Sequence, residues 1–337
     1  MNRSEGVNDM ADILTLGELL MDMTQNGTDE NGNGMFTAFP GGAPANVAVA
    51  AARLGAETGF IGKVGNDAFG RILAETLKKE GVDISGLFTC NEQPTTMALV
   101  SVDENGEREF AFYRNPGADT QLTADEAISA IAGSHIRGNE DLLGGQAKLP
   151  AILHIGSLSM TTMPAREACE SAVHYAKDRG VLISYDPNYR AALWDSEERA
   201  VEMMKSLLPL ADILKVSDEE MLLLTGTEDF EEGSRILSDQ GPSLVLVTLG
   251  AKGVFVRMGS YSGTVPGFSV RVADTNGAGD TFFGAVLCQI SKREGLLDGL
   301  GEDELRKIVT YANKAASLTC SRRGAMPAMP YADEIDL

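Results

Sequence analysis

Residues Arg271 to Gly284 read Arg-Val-Ala-Asp-Thr-Asn-Gly-Ala-Gly-Asp-Thr-Phe-Phe-Gly. A polar turn with Gly277 and Gly279 runs directly into the apolar stretch Phe282 to Leu287, which predicts a loop feeding the N-terminus of a buried helix. Glycines in such a loop let successive backbone N–H groups point into one concavity, and the helix end adds partial positive charge. That combination suits a phosphate or a developing negative charge. Asp280 nevertheless stands in the first turn, where an acid also serves as an ordinary partner for the helix dipole. A capped helix and an anion site both satisfy this stretch taken alone.

Outward from it, short apolar runs alternate with amphipathic ones. Ile13 to Leu16, Phe60 to Val64, Ile152 to Gly156, Val181 to Asp186, Asp212 to Val216 and Leu244 to Leu249 read as strands. Pro44 to Leu54, Ala68 to Glu80, Ala124 to Ala132, Pro164 to Arg179, Glu197 to Leu208, Asp218 to Leu224 and Glu304 to Thr319 read as helices. Pro44 to Leu54 is apolar nearly all round, so it belongs inside, with Asn46 the one polar residue of its first turn. This alternation implies a mainly parallel sheet covered on both faces, with ligands beyond the carboxyl ends of its strands. Thr96 to Val102 and Glu107 to Tyr113 flank an Asn105-Gly106 turn, a hairpin that does not fit a parallel sheet. Together with Met35 to Phe39 it predicts a small β flap, made from segments around 18–40 and 95–115. The expectation is one three-layer α/β domain over 1–337 with a β lid, a frayed leader at 1–11 and a polar, chemistry-free insertion at Arg137 to Lys148.

The chain has 337 residues and a formal net charge of −21. So acidic a protein is a poor partner for nucleic acid or an anionic membrane. No apolar run approaches the roughly 20 residues a membrane helix needs, and the leader lacks a signal-peptide core, so the cytoplasm is the expected location. Cys90, Cys169, Cys288 and Cys320 are scattered without a Cys-x-x-Cys pair, which suits reduced thiols better than a disulfide framework or a zinc site. His154, inside an apolar run, reads as a core histidine.

Neither a Walker A pattern, nor Gly-x-Gly-x-x-Gly after the first strand, nor a Gly-x-Ser-x-Gly elbow is present. Phosphoryl transfer to an alcohol needs a base for the hydroxyl, donors for the transferring oxygens, cations on the phosphates and exclusion of water. Asp280 beside the N–H groups of Gly277 to Asp280 offers the first two.

The blocks Gly41-Gly42-Ala43-Pro44-Ala45-Asn46 and Asp274-Thr275-Asn276-Gly277-Ala278-Gly279-Asp280 resemble the two signatures of the ribokinase/fructokinase (PfkB) family of sugar kinases, and the resemblance runs from about Ile13 to Pro330. Gly17 to Asp22, Phe112 to Asp119 and Asp186 to Arg190 look most like bacterial fructokinases. The resemblance implies a ribokinase-like fold, ATP with Mg²⁺, and transfer of the γ-phosphate to a sugar hydroxyl. Asp280 would be the base, with Gly277, Ala278 and Gly279 as the anion hole. Asp22, Gly41, Gly42, Asn46, Arg114 and Arg190 would serve the sugar. Lys215, Ser217, Thr248, Gly250, Lys252, Gly253 and Asn313 would serve ATP. Glu220, which also completes a Ser217-x-x-Glu220 capping box, would hold Mg²⁺ through water. Ser217 stands where the family has Asn, Asn276 where it has Thr, and Ala328 where relatives have Ser. A K⁺ site near Asp274, Asn276 and Gly324 is therefore set against two departures. A homodimer through the lid is a further expectation by analogy. Alternatives are 2-keto-3-deoxygluconate kinase, a nucleoside kinase, and, in another class, a sugar-binding regulator without catalysis.

Overall fold

Side chains of a strand alternate between the two faces of a sheet, and here that alternation sorts the core into layers. A computed structural model of the chain describes residues 12–102, 108–133 and 149–337. The expected leader at 1–11, the hairpin tip at 103–106 and the insertion at 137–148 lie outside the described residues.

Nine strands form the main sheet, in the order β13 (Tyr261–Val265), β12 (Val254–Met258), β11 (Leu244–Thr248), β10 (Ile213–Ser217), β9 (Leu182–Asp186), β8 (Ile152–Gly156), β1 (Ile13–Leu16), β4 (Thr58–Gly65), β5 (Leu87–Cys90). Neighbours from β5 to β11 pair in parallel, and β12 and β13 add an antiparallel edge. Leu14, Leu16, Ile183, Tyr185, Leu214 and Val216 face one core. Over it pack α3 (Ala124–Ile131), α4 (Ala165–Lys177), α5 (Glu197–Leu207), α6 (Asp218–Thr225) and α7 (Phe230–Ser238). Ile13, Ile152 and Ile213 face the opposite core, with α1 (Ala43–Arg53), α8 (Ala278–Ser291) and α9 (Glu302–Cys320). The result is the three-layer α/β fold. His154 lies in this second core, edge-on to Phe283 and hydrogen-bonded through Nδ1 to Ser184.

A separate four-stranded sheet has the order β3 (Gly34–Gly41), β2 (Leu20–Thr28), β6 (Met97–Val102), β7 (Arg108–Tyr113). Only β2 and β6 run parallel in it. Beneath it, α2 (Ala68–Lys79) contributes Leu73 and Leu77 to a third core with Leu19, Met21 and Ala48.

Among the elements not foreseen are β5, α7 and the edge strand β13. The strand β5 is four residues long and only half-buried, too short for a period to show. The helix α7 carries Gly233 in its middle, which lowers its propensity; a Cβ there would strike Met221 of α6. Among the described residues no helix is long and apolar enough to cross a membrane.

Candidate active site

The parallel strands end on one side of the sheet, and the polar residues of the sequence collect there. The register of β9 and β10 sets Ser184 beside Ile213 and Tyr185 beside Leu214, so one step further Asp186 stands beside Lys215. Both point to the face covered by α8, because Tyr185 and Leu214 point away from it. Lys215 Nζ donates to Asp186 Oδ2 at 2.9 Å, and both side chains are buried.

The N-terminus of α8 faces this pair. Gly277 caps the helix with φ 74°, in the left-handed region that glycine enters without strain. The first-turn N–H groups of Gly279 and Asp280 have no acceptor within the helix. Gly279 lies so close to Lys215 that a Cβ would come within 3.2 Å of Nζ. The expected nest is thus flanked by a buried ammonium group.

Asp280 is fixed from the other side by α1. Gly284 of α8 lets the two helices meet, since a Cβ there would lie 2.8 Å from Ala50 Cβ and 2.9 Å from Val47 O. This close approach brings Asn46 Nδ2 to Asp280 Oδ2 at 2.8 Å. Among the described residues Asn46 Oδ1 is buried without a hydrogen-bond partner. An unpaired buried acceptor costs about 1–3 kcal/mol, a cost that a donor such as a hydroxyl would remove.

The electrostatics follow from crowding. Partial burial, with Asp186 adding repulsion, raises Asp280 to about 6, against the opposing effects of Asn46, Lys215 and Arg190. Burial likewise raises Asp22 to about 7; Asp280 reinforces the rise and Arg190 opposes it. Burial works against the ammonium of Lys215, but Asp186, Glu220 and Asp280 outweigh it and hold its pKa above the ordinary value. Asp22 therefore shares one electrostatic neighbourhood with Asp280 and Arg190. Gly41 is adjacent to it, and a Cβ at Gly41 would run into Asp22 Oδ2. Gly42 caps α1 at φ 110°, against the Glu18 carbonyl.

Two cavities meet at the nest, sharing Thr275 and Gly279. One, of about 320 Å³, is mostly apolar and takes Thr248, Gly250, Gly253, Phe268, Phe282 and Asn313 into its walls. The other, of about 860 Å³, is polar and takes in Arg190, Lys215, Ser217, Glu220, Asn276 and Asp280. Asn313 Nδ2 donates to the carbonyls of Val265 and Pro266 and so braces the first cavity. Lys252 is exposed and lines neither cavity, while Lys215 and Ser217 line the polar one rather than the apolar one.

Three further expected residues are engaged by protein groups. Arg114 was expected to reach in from the flap; instead it is buried, with Nε on Asp119 at 2.7 Å and its other nitrogens on Thr161 Oγ1 and the Leu158 carbonyl. Glu220 completes the capping box with Ser217, and its second oxygen accepts from Tyr189 N at 2.7 Å. Asp274 accepts from the backbone N–H groups of Asn276 and Gly324, tying the nest loop to the segment after α9.

Two residues that sequence reasoning passed over belong to the arrangement. Asp186 was visible as the polar end of an apolar strand, and period-two alternation would have set it on the α8 face. Glu18 is buried and accepts from Ala43 N at 2.7 Å, at the start of α1. Burial raises its pKa to about 7, with Asp119 adding to the rise and Arg114 and two backbone N–H groups opposing it. Nothing in its local sequence distinguishes it from a solvated acid.

An acid beside a helix-end donor nest, between an apolar cavity and a polar one, is the layout of a phosphotransferase acting on an alcohol. The chain belongs to the pfkB family of carbohydrate kinases, whose model matches residues 10–332. It is 39% identical over 326 residues to a probable fructokinase-4 of Arabidopsis thaliana, covering 96% of this chain and 95% of the relative. Its structure is similar to that of a fructokinase with bound ATP from Xylella fastidiosa, with a TM-score of 0.84, 31% identity and 97% of each chain covered. A double mutant of the Vibrio cholerae O395 fructokinase, in its fructose-, ADP- and potassium-bound form, gives a TM-score of 0.80 at 33% identity, covering 96% of this chain and 97% of that one.

Proposed function

We propose that this chain is an ATP-dependent fructokinase, transferring the γ-phosphate of ATP to a primary hydroxyl of fructose. The observation that carries this reading is Asp280, held by Asn46 and set beside the α8 nest where the two cavities meet. In the proposed reaction the sugar hydroxyl gives its proton to Asp280 while its oxygen attacks the γ-phosphorus, and the bond from that phosphorus to the β,γ-bridging oxygen breaks to release ADP. The N–H groups of the nest, Gly277 to Asp280, stabilise the charge on the transferring oxygens. Asn46 Oδ1 accepts from a sugar hydroxyl, and Asp22, with Gly41 and Gly42 closing in, accepts from others. Arg190 lies between sugar and phosphate. The apolar cavity takes the adenine, with Thr248, Gly250 and Gly253 along the phosphates and Asn313 bracing the wall.

The polar cavity suits magnesium held mainly by ATP oxygens and water, with Glu220 as the protein carboxylate near it; each Glu220 oxygen retains a lone pair beyond its N–H bond. Bound there, the ion neutralises phosphate charge. A monovalent cation is assigned to the carbonyls of the loop that Asp274 ties together around Asn276 and Gly324, and comparing turnover in K⁺ and Na⁺ tests it.

A neutral sugar suits the site better than a sugar acid such as 2-keto-3-deoxygluconate. Arg114 spends its charge on Asp119, and Asp22 and Asp280 would repel a carboxylate. The second sheet acts as the lid, and its exposed Met35, Phe36 and Tyr113 favour a second copy of the chain as its cover. Sedimentation of wild type and Phe36→Glu checks this: equal monomer mass for both rules it out. The activity itself is tested by ADP release across fructose, ribose, 2-keto-3-deoxygluconate and nucleosides. Fructose should give the highest kcat/KM, and no turnover on any of them would overturn the assignment.

A further inference from the structure

Glu18 is a buried carboxylate that the proposed reaction does not use. Taking a carboxylate out of water is unfavourable, so its partners show what it is kept for. Oε1 accepts from Ala43 N, the first N–H of α1, at 2.7 Å. A helix usually meets this need with Ser, Thr, Asp or Asn at its own N-cap. Here the N-cap is Gly42, and no side chain fits there, because a Cβ would stand 2.3 Å from the Glu18 carbonyl oxygen. Gly41 is closed in the same way by Asp22 Oδ2. The cap therefore comes from the link between β1 and β2. That link lies along the whole start of α1. A Cβ on Gly17 would strike the Pro44 ring at 2.6 Å, the Glu18 backbone abuts Gly42, and the Glu18 side chain reaches Ala43.

We propose that Glu18 is a positioning residue for the base, acting through the first turn of α1 and Asn46. This deepens the kinase reading and rests on it. The path is short. Ala43 opens the turn that Asn46 closes, with Asn46 N donating to the Gly42 carbonyl at 2.8 Å. Asn46 Nδ2 then holds Asp280 Oδ2 at 2.8 Å, and Oδ1 is the acceptor offered to a sugar hydroxyl. A first-turn N–H finds no acceptor inside its own helix. Loss of the Glu18 carboxylate would strand the buried Ala43 N–H, so the turn would shift toward water and carry Asn46 with it. A displacement of about 1 Å at a reacting group is enough to lower a rate about 10²-fold.

The test uses full-length enzyme with fructose and ATP, well below the melting temperature of each variant. Glu18→Ala should lower kcat about 10–10²-fold. It should raise the KM for fructose about three- to tenfold, the weight of one hydrogen bond, and leave the KM for ATP within about twofold. Glu18→Gln keeps an acceptor for Ala43 N and should recover kcat to within about threefold. Glu18→Ala combined with Asn46→Ala should be no slower than Asn46→Ala alone. The acidic limb of kcat/KM supplies a readout that lost stability does not move. Burial raises the pKa of Asp280 and the Asn46 hydrogen bond restrains that rise, so losing the bond should move the limb to higher pH. Asp186 on β9, Lys215 on β10, Arg190 in the loop after β9 and Asp22 on β2 also face Asp280, while Arg114 and Asp119 face Glu18; the variants keep them all. Glu18→Ala should shift the limb as Asn46→Ala does, and Glu18→Gln should leave it in place. Folded Glu18→Ala with a lower melting temperature but wild-type constants and limb would make Glu18 a structural cap and overturn the proposal, as would losses additive with Asn46→Ala. Where Glu18→Ala fails to fold, Glu18→Asp decides. It draws the acceptor back by one methylene and should show the kcat loss and limb shift in milder form; unchanged constants or failure to fold overturn the proposal. Glu18→Gln as slow as Glu18→Ala, or unfolded, would show that the charge rather than the acceptor matters, and the proposal falls. Wild type that turns over fructose while Glu18→Ala matches it removes only this proposal; wild type without turnover removes both.

Discussion

Asp280 is a carboxylate that its surroundings hold back from ionising. Its pKa of about 6 places half-protonation just below neutrality. A general base works only when unprotonated, so kcat/KM should rise through about pH 6 and level off above it; a limb still near the ordinary carboxylate range would show that the ionised form meets no such crowding in solution. Gly41 offers a second measurement. Gly41→Ala places a methyl group against Asp22 Oδ2 and should raise the KM for fructose roughly 10–100-fold, the equivalent of one hydrogen bond to a charged group of about 1.5–3 kcal/mol. An unchanged KM would remove Asp22 from the sugar site. At this scale the sequence was readable where chemistry needs a local pattern. Asp280 and its glycines are contiguous, and Asn46 was the lone polar residue in an apolar helix turn. Lys215 and Asp186 meet only through strand register, and Glu18 only through a turn that folds back on α1. Arg114 read as a sugar contact at the end of the hairpin, because Asp119, Thr161 and Leu158 reach it only through tertiary folding.

Helices α1 and α8 form the rigid part of the site. Their contact is built from small residues, with Gly284 against Val47 and Ala50. Gly284→Val would overpack this contact at a cost of about 1–3 kcal/mol and pull Asn46 away from Asp280. The expected result is a lower thermal midpoint together with a kcat loss that Asn46→Ala reproduces without the change in stability. A variant with wild-type melting and turnover would show that the helices have room to spare. Both helices were legible, α1 from its apolar circumference and α8 from its glycine turn. The ends of the parallel strands read in the main sheet were legible to within about two residues, since each apolar run stops at a polar cluster, whereas β2 extends to Thr28 through a stretch that read as a polar loop. The short β5 and the glycine-bearing α7 were not, because four residues show no period and Gly233 breaks a weak one.

The molecule joins a wide, mostly parallel sheet that carries the proposed site at its strand ends to a small sheet that carries Asp22. Besides its packing on α2, the small sheet is tied to the rest where Arg114, just after β7, pairs with Asp119 and Thr96 Oγ1, just before β6, donates to the same carboxylate at 2.5 Å. Acting as a lid, it should gain protection from amide exchange in β2 and β3 when fructose and an unreactive ATP analogue bind together; equal exchange in both states would make it a fixed wall. The layered architecture was the most legible feature of all, because alternation of strands and helices is set by core burial, whereas the way β2 joins the hairpin depends on long-range pairing. The most direct measurement of the whole account is fructose-dependent ADP release by Asp280→Asn. Its kcat should fall about 10²–10⁴-fold, the scale of general-base catalysis. Its thermal midpoint at pH 8 should be no lower than that of the wild type, because a carboxylate with a raised pKa is stabilising only below that value and carries a cost above it. Near-wild-type turnover in a folded Asp280→Asn protein would contradict the account.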